Sequence, residues 1–173
     1  KDLIDHEKIG KLQYIYSNRL NLGKVRTDEN VFWSLAPHDI SIFQFLIESY
    51  PIEIKIQGSS FLQKGIHDST ITQLKYTNDV EGHIFVSWLH PFKEHRLVVI
   101  GSEAMISFED SSEGKPLKLY FKKFDMRTGI PEKIDGPIEL IEYEQKMPLT
   151  EELKFFVEHL DGKEPIGANG KHM

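Results

Sequence analysis

The sequence predicts an α+β domain, an open and mainly antiparallel β-sheet with helices packed on one face. Three observations lead to it. After Pro51 the chain carries seven strand-like stretches rich in β-branched and aromatic residues, separated by Gly, Asn, Asp or Pro clusters. The connections between them are short, which favours antiparallel pairing over βαβ crossovers. Helical patterns flank this run of strands and do not alternate with it, the order expected of an α+β architecture.

Taken from the start, KDLIDHEKIGKL reads as the end of a helix stopped at Gly10, and LQYIYSNRLN as a strand with Leu12, Tyr14 and Tyr16 on one side. Asn21 to Asn30 is a polar loop with Gly23, Lys24 and Arg26, just after Arg19; it carries groups into a site or merely over a surface. In VFWSLAPHDISIFQFLIES, Pro37 suits the first turn of a helix and Asp39 its positive end. That helix is expected to bury Ile40, Phe43, Phe45, Leu46 and Ile47 against a sheet and a further layer, and to end at Tyr50-Pro51.

The strands that follow are IEIKIQG, STITQLKYT, HIFVSWLH, RLVVIG, AMISFE, LKLYFKKF and IELIEYE, with hairpins expected at TNDVEGH and IGSEAM. Both alternating sets of HIFVSWLH are apolar, so both sheet faces call for cover. A last helix takes Thr150 as N-cap, Glu151 and Glu152 in its first turn, a stripe of Leu153, Phe156, Val157 and Leu160, and a stop at Gly162.

Composition bounds the function. The 173 residues, 39% of them hydrophobic, can bury one core, and the net charge of -6 comes from interspersed charges that offer nucleic acid no electrostatic footprint. With no cysteine, neither disulfides nor thiolate metal sites are available, and with no apolar leader the expectation is a cytoplasmic protein. The longest apolar candidate, Ile40 to Ile47, is interrupted by Ser41 and Gln44, so no membrane span is expected. The GxGxxG fingerprint, the P-loop and the GxSxG elbow are all missing, so the chain is not expected to bind a dinucleotide by itself or to run hydrolase chemistry.

The segment WSLAPHD is the most informative. It places His38 near the start of a buried helix, where amide dipoles would keep the imidazole neutral and fit to act as general base on a hydroxyl. The competing reading is a histidine whose nitrogens only bridge backbone groups. Asp39 either orients that ring or serves the helix terminus, and Trp33 is either a flat wall for a sugar or nicotinamide ring or a core residue. Asn18, Arg19, Asn21, Lys24 and Arg26 suit an acidic or phosphorylated ligand, or stay solvated. His83, His90 and His95 fall in one region, but their spacing fits no compact ligand pattern, and no metal site is expected.

Two runs, NRLNLGKVRTDENVFWSLAPHDISIFQFLI and HDSTITQLKYTNDVEGHIFVSWLHPFKEHRLVVIGSEAMISFED, resemble the C-terminal domain of Gfo/Idh/MocA oxidoreductases, in particular the nucleotide-sugar dehydrogenase branch. The likeness runs from about Gly10 to Pro165. It implies a preceding Rossmann domain that holds NAD or NADP and a Glu-Lys-Pro lysine, without which this chain alone is inactive. It also implies a sugar or nucleotide-sugar substrate, with His38 as the acid/base group and Asn18, Arg19, Arg26 and Asp39 on the substrate. Trp33 is then placed at the nicotinamide boundary. The family often has an aspartate four residues before the histidine, where this chain has Ser34. By the same resemblance, residues 1–11 are the tail of the helix after the Rossmann half, 12–167 the substrate and oligomerisation domain, and 168–173 a truncated tail, with KEPIGANGKHM leading to a final helix. A homodimer or homotetramer through the sheet is implied. Two rivals stand beside this reading: a non-catalytic assembly module built on the sheet, and an isomerising or eliminating enzyme with tightly held NAD.

Overall fold

The structure is a computed structural model that describes residues 1–163; the expected approach to a final helix beyond Lys163 and the tail 168–173 lie outside the described residues. The chain divides into two compact units, Lys1–Ile141 and Glu142–Met173. In the first, a short helix α1 (Asp2–Asp5) leads into β1 (Leu12–Leu20) and helix α2 (Val31–Ile47). Seven strands follow: β2 (Glu53–Ser59), β3 (Ser69–Lys75), β4 (Glu81–Ser87), β5 (Glu94–Gly101), β6 (Met105–Glu109), β7 (Leu117–Asp125) and β8 (Glu132–Ile141). They form one sheet in the order β2-β3-β4-β1-β5-β6-β7-β8. β1 runs parallel to β4, and the other neighbouring pairs are antiparallel. The α+β open sheet expected from the sequence is therefore the fold, with each of the seven strand-like stretches forming a strand. Both expected hairpins are present, β3–β4 and β5–β6.

α2 lies across β4, β1 and β3. Alternation along the strands turns Ile15, Ile84, Val86 and Val99 to that face, where they are buried with Val31, Ala36, Phe43 and Leu46 of the helix. Close approach depends on Gly82, since a Cβ there would sit 2.5 Å from the Ile15 carbonyl oxygen and 3.1 Å from the Phe43 ring. Leu3 and Ile4 of α1 pack against the same core.

Several local boundaries differ from the sequence reading. α1 ends at Asp5 and not at Gly10, whose φ of 69° serves the later turn into β1. A register shift between Leu12 and Tyr14 breaks the expected Leu12, Tyr14, Tyr16 stripe: Leu12 joins the core, while the tyrosines turn away from it. α2 begins six residues before Pro37, at Val31, where Asn30 Oδ1 accepts from the Trp33 amide at 3.2 Å. Pro37 thus lies inside the helix, and Ile40 and Phe45, expected in the core, are 36% and 59% exposed. The helix stops at Ile47, ahead of Tyr50-Pro51, with Glu48 in the left-handed region.

The second unit, taken by itself, holds helix α3 (Pro148–Glu158). Its N-cap is Met147, with Pro148 opening the first turn, so Thr150 stands inside the helix and not at its cap. Leu153, Phe156 and Val157 lie within α3, Leu160 follows its end, and Gly162 adopts φ 86°.

On the sheet face opposite α2, Tyr14, Tyr16, His83, Phe85, Val98 and Ile100 are half-buried. The Tyr14 hydroxyl is 2.5 Å from His83 Nδ1, and the Tyr16 ring stacks on the imidazole at 5.1 Å and 3°. Burial lowers the His83 pKa below its ordinary value near 6.5. The folded state then binds fewer protons than the unfolded chain, so stability is lost as pH falls through 6.5 towards the depressed folded value. The unfolding temperature is expected to drop on acidification from about pH 7.5 to 5.5, and less steeply in His83→Gln. Identical slopes in the two proteins would show that His83 contributes nothing.

Candidate active site

Of the residues singled out from sequence, the structure joins two on the α2 side of the sheet, Arg19 from β1 and Asp39 from α2; His38 precedes Asp39 in α2 but stands on the exposed flank of the helix. Arg19 donates through Nε to Asp39 Oδ2 at 2.8 Å and through Nη2 to Oδ1 at 3.1 Å, a two-pronged ion pair. The side chains are 18% and 4% exposed. Asp39 therefore braces the helix against the sheet. It is neither in the helix's first turn nor oriented toward the histidine before it.

His38 itself is exposed, and among the described residues its ring makes no hydrogen bond. Standing in the third turn of α2, it is beyond the reach of the amide dipoles of the first turn, so the helix-start argument made for it from sequence does not hold. The bridging alternative has no support either. An unengaged imidazole open to solvent can still take a proton from a hydroxyl brought within hydrogen-bond reach. Ser34, one turn earlier, stands on the same flank of α2 as His38. Trp33 is 66% exposed with its ring edge-to-face on Phe32, so it is not a core residue.

The remaining candidates lie elsewhere. Asn18 precedes Arg19 in a strand and so faces the other side of the sheet, where its Nδ2 donates to Glu94 Oε1 at 2.8 Å. Arg26, in the loop, pairs with Glu29 at 3.3 Å, and its carbonyl accepts from Gln63 at 2.8 Å. The polar group read as one patch is thus divided by strand alternation. The recess of about 580 Å³ lined by Tyr16, Arg96, Val98, Ser107 and Tyr120 belongs to Asn18's face, away from α2.

His95 was considered from sequence only as a metal ligand, yet the register sets it directly across from Arg19. Burial, then Arg19 and Lys93, hold its pKa below the ordinary value, against Asp110 at 3.8 Å. No local signal marks it, because the two strands are joined only by tertiary pairing. His83 and His90 are engaged apart from it, His83 with Tyr14 and His90 with the Phe92 carbonyl at 3.0 Å. Among the described residues no group of three or more His, Asp or Glu is placed to hold a metal ion. No helix among them is long and apolar enough to cross a membrane.

Comparison with known proteins bears on the family and the fold. Residues 1–107 match the family model described as the GFO/IDH/MocA C-terminal domain. No curated protein matches in sequence. Among solved structures, the UDP-N-acetylglucosamine 3-dehydrogenase GnnA from Acidithiobacillus ferrooxidans superimposes with TM-score 0.78 at 17% identity, over 99% of this chain and 53% of that one. The aldose-aldose oxidoreductase from Caulobacter crescentus gives 0.75 at 14%, over 99% and 52%. An inositol dehydrogenase homologue from Azotobacter vinelandii, complexed with NAD+, gives 0.66 at 16%, over 82% and 39%. The chain spans about half the length of the first of these relatives.

Proposed function

Because the chain belongs to the GFO/IDH/MocA family, matching its C-terminal domain, we propose that it is the substrate-facing part of an oxidoreductase that transfers hydride between NAD or NADP and a sugar or nucleotide-sugar hydroxyl. The single observation that carries this is the His38 ring, exposed and free of hydrogen bonds, on a helix whose next residue is locked to the sheet. A bound nicotinamide would supply the hydride acceptor. His38 would take the hydroxyl proton as the hydride leaves, and the exposed Trp33 indole, on another flank of the helix, offers a flat apolar surface to the cofactor or sugar. Asn18, bonded to Glu94 on the other face of the central strand β1, and Arg26, paired with Glu29 in the following loop, stand apart from this site.

A nucleotide-linked sugar is the preferred substrate, since one fold relative is a UDP-N-acetylglucosamine dehydrogenase. The half-buried tyrosines, Val98 and Ile100 opposite α2 support a homodimer or homotetramer built through that face.

The test uses the whole enzyme with NAD+ or NADP+ and a panel of UDP-sugars and free aldoses. Substrate-dependent growth of reduced nicotinamide absorbance is expected with at least one sugar. Absorbance that stays flat throughout, with neither bulk nor enzyme-bound reduced cofactor formed, would overturn the redox reading in favour of an assembly module. Product formed while only bound cofactor cycles would instead indicate the isomerising rival.

A further inference from the structure

We propose that Arg19 and Asp39 are positioning residues: their buried, two-pronged ion pair sets the rotation of α2, and with it the direction of the His38 ring. This rests on the acid/base reading of His38. Both carboxylate oxygens of Asp39 are taken, at 2.8 and 3.1 Å, and the side chain is 4% exposed, so it offers a sugar nothing.

Helix geometry turns the lock into a direction. Successive residues point about 100° apart round an α-helix. With Asp39 held down on β1, His38 must stand on the outward flank, where the structure has it exposed. Turning the helix by one residue would bury the imidazole and lift the carboxylate into water.

Pro37 makes such a brace necessary. It has no N–H to donate to the Trp33 carbonyl, and its ring crowds that carbonyl, so the turn leading to His38 lacks one backbone tie. The ion pair, two residues further on, replaces that tie with one to the sheet. Such a pair adds little net stability against hydrophobic residues of the same size, but its fork geometry tolerates few orientations. On the far side of Arg19, His95 of β5 occupies the cross-strand position, with Asp110 beyond it.

A double-mutant cycle in the whole enzyme separates this role from the alternatives. Asp39→Asn is expected to lower kcat by roughly 10–100-fold through misplacement of the ring, with KM for the sugar changed by less than about threefold. In a His38→Ala background the same substitution should cost nothing more, because its effect passes through the ring that is gone. Arg19→Lys, which keeps the charge and loses the fork, should follow the same pattern more mildly, and it carries the cycle if Asp39→Asn does not fold. A raised KM at unchanged kcat would make these residues substrate contacts, and losses that add in full to those of His38→Ala would make their role general; either result overturns the proposal. Normal turnover by His38→Ala would bring down the acid/base reading instead, and this inference with it.

Discussion

His38→Ala is expected to lower turnover of the whole enzyme by about 10²–10⁴-fold, the range over which a positioned general acid or base contributes. The effect should fall on kcat and kcat/KM together, since proton transfer occurs only in the transition state and the ring carries little ground-state binding. Solvent exposure sharpens the expectation, because the side chain makes no hydrogen bond among the described residues whose loss would unfold the helix. His38→Ala should therefore melt within about 1 °C of the parent, surface substitutions being nearly neutral. Exogenous imidazole should restore part of the rate. Full turnover without the ring would remove His38 from the mechanism.

Phe43→Ala is expected to cost about 3–5 kcal/mol of folding free energy. Its ring is fully buried in the middle of α2 and fills the space that Gly82 leaves open over β1 and β4. Deleting it opens a cavity that Gly82 cannot fill, at the point where the helix meets three strands. Set against a typical total of about 5–15 kcal/mol, such a loss consumes a large share of stability. The neighbouring Phe45→Ala is the control: at 59% exposure it should change the urea midpoint little. Comparable losses from the two would mean that the helix does not dock through Phe43.

Strands were the most legible part of this chain. The seven stretches from IEIKIQG to IELIEYE show their period and their turn residues within a few positions, and each forms a strand. The helix over residues 31–47 was legible as an element, but its start was not. Pro37 carries a strong first-turn signal, and VFWSLA ahead of it gives no helix-start signal except Asn30, whose cap is evident only once the helix is seen. Packing of Val31 and Ala36 on the sheet outweighs the cost of an interior proline, and that packing is tertiary.

The candidate site divides in the same way. His38 stood out by its motif and is exposed in the structure, but the helix-dipole reason for choosing it disappears with the true helix start. Asp39 and Arg19 were picked out as substrate contacts; in the structure each is occupied by the other, a pairing between a strand and a helix 20 residues apart. Asn18 and Arg19 look like one patch in sequence, and the period of two in a strand sends them to opposite faces.

By itself, then, the amino-acid order determined the strands, the open and mainly antiparallel sheet and the existence of the helix that carries His38, because hydrophobic period and turn chemistry act over a few residues. Only the tertiary structure decided that β1 enters the middle of the sheet beside β4 and β5, that His95 faces Arg19, and that Asp39 is spent on an ion pair. Those choices join segments far apart along the chain, and their energies come from contacts that exist only after the loops between them have closed.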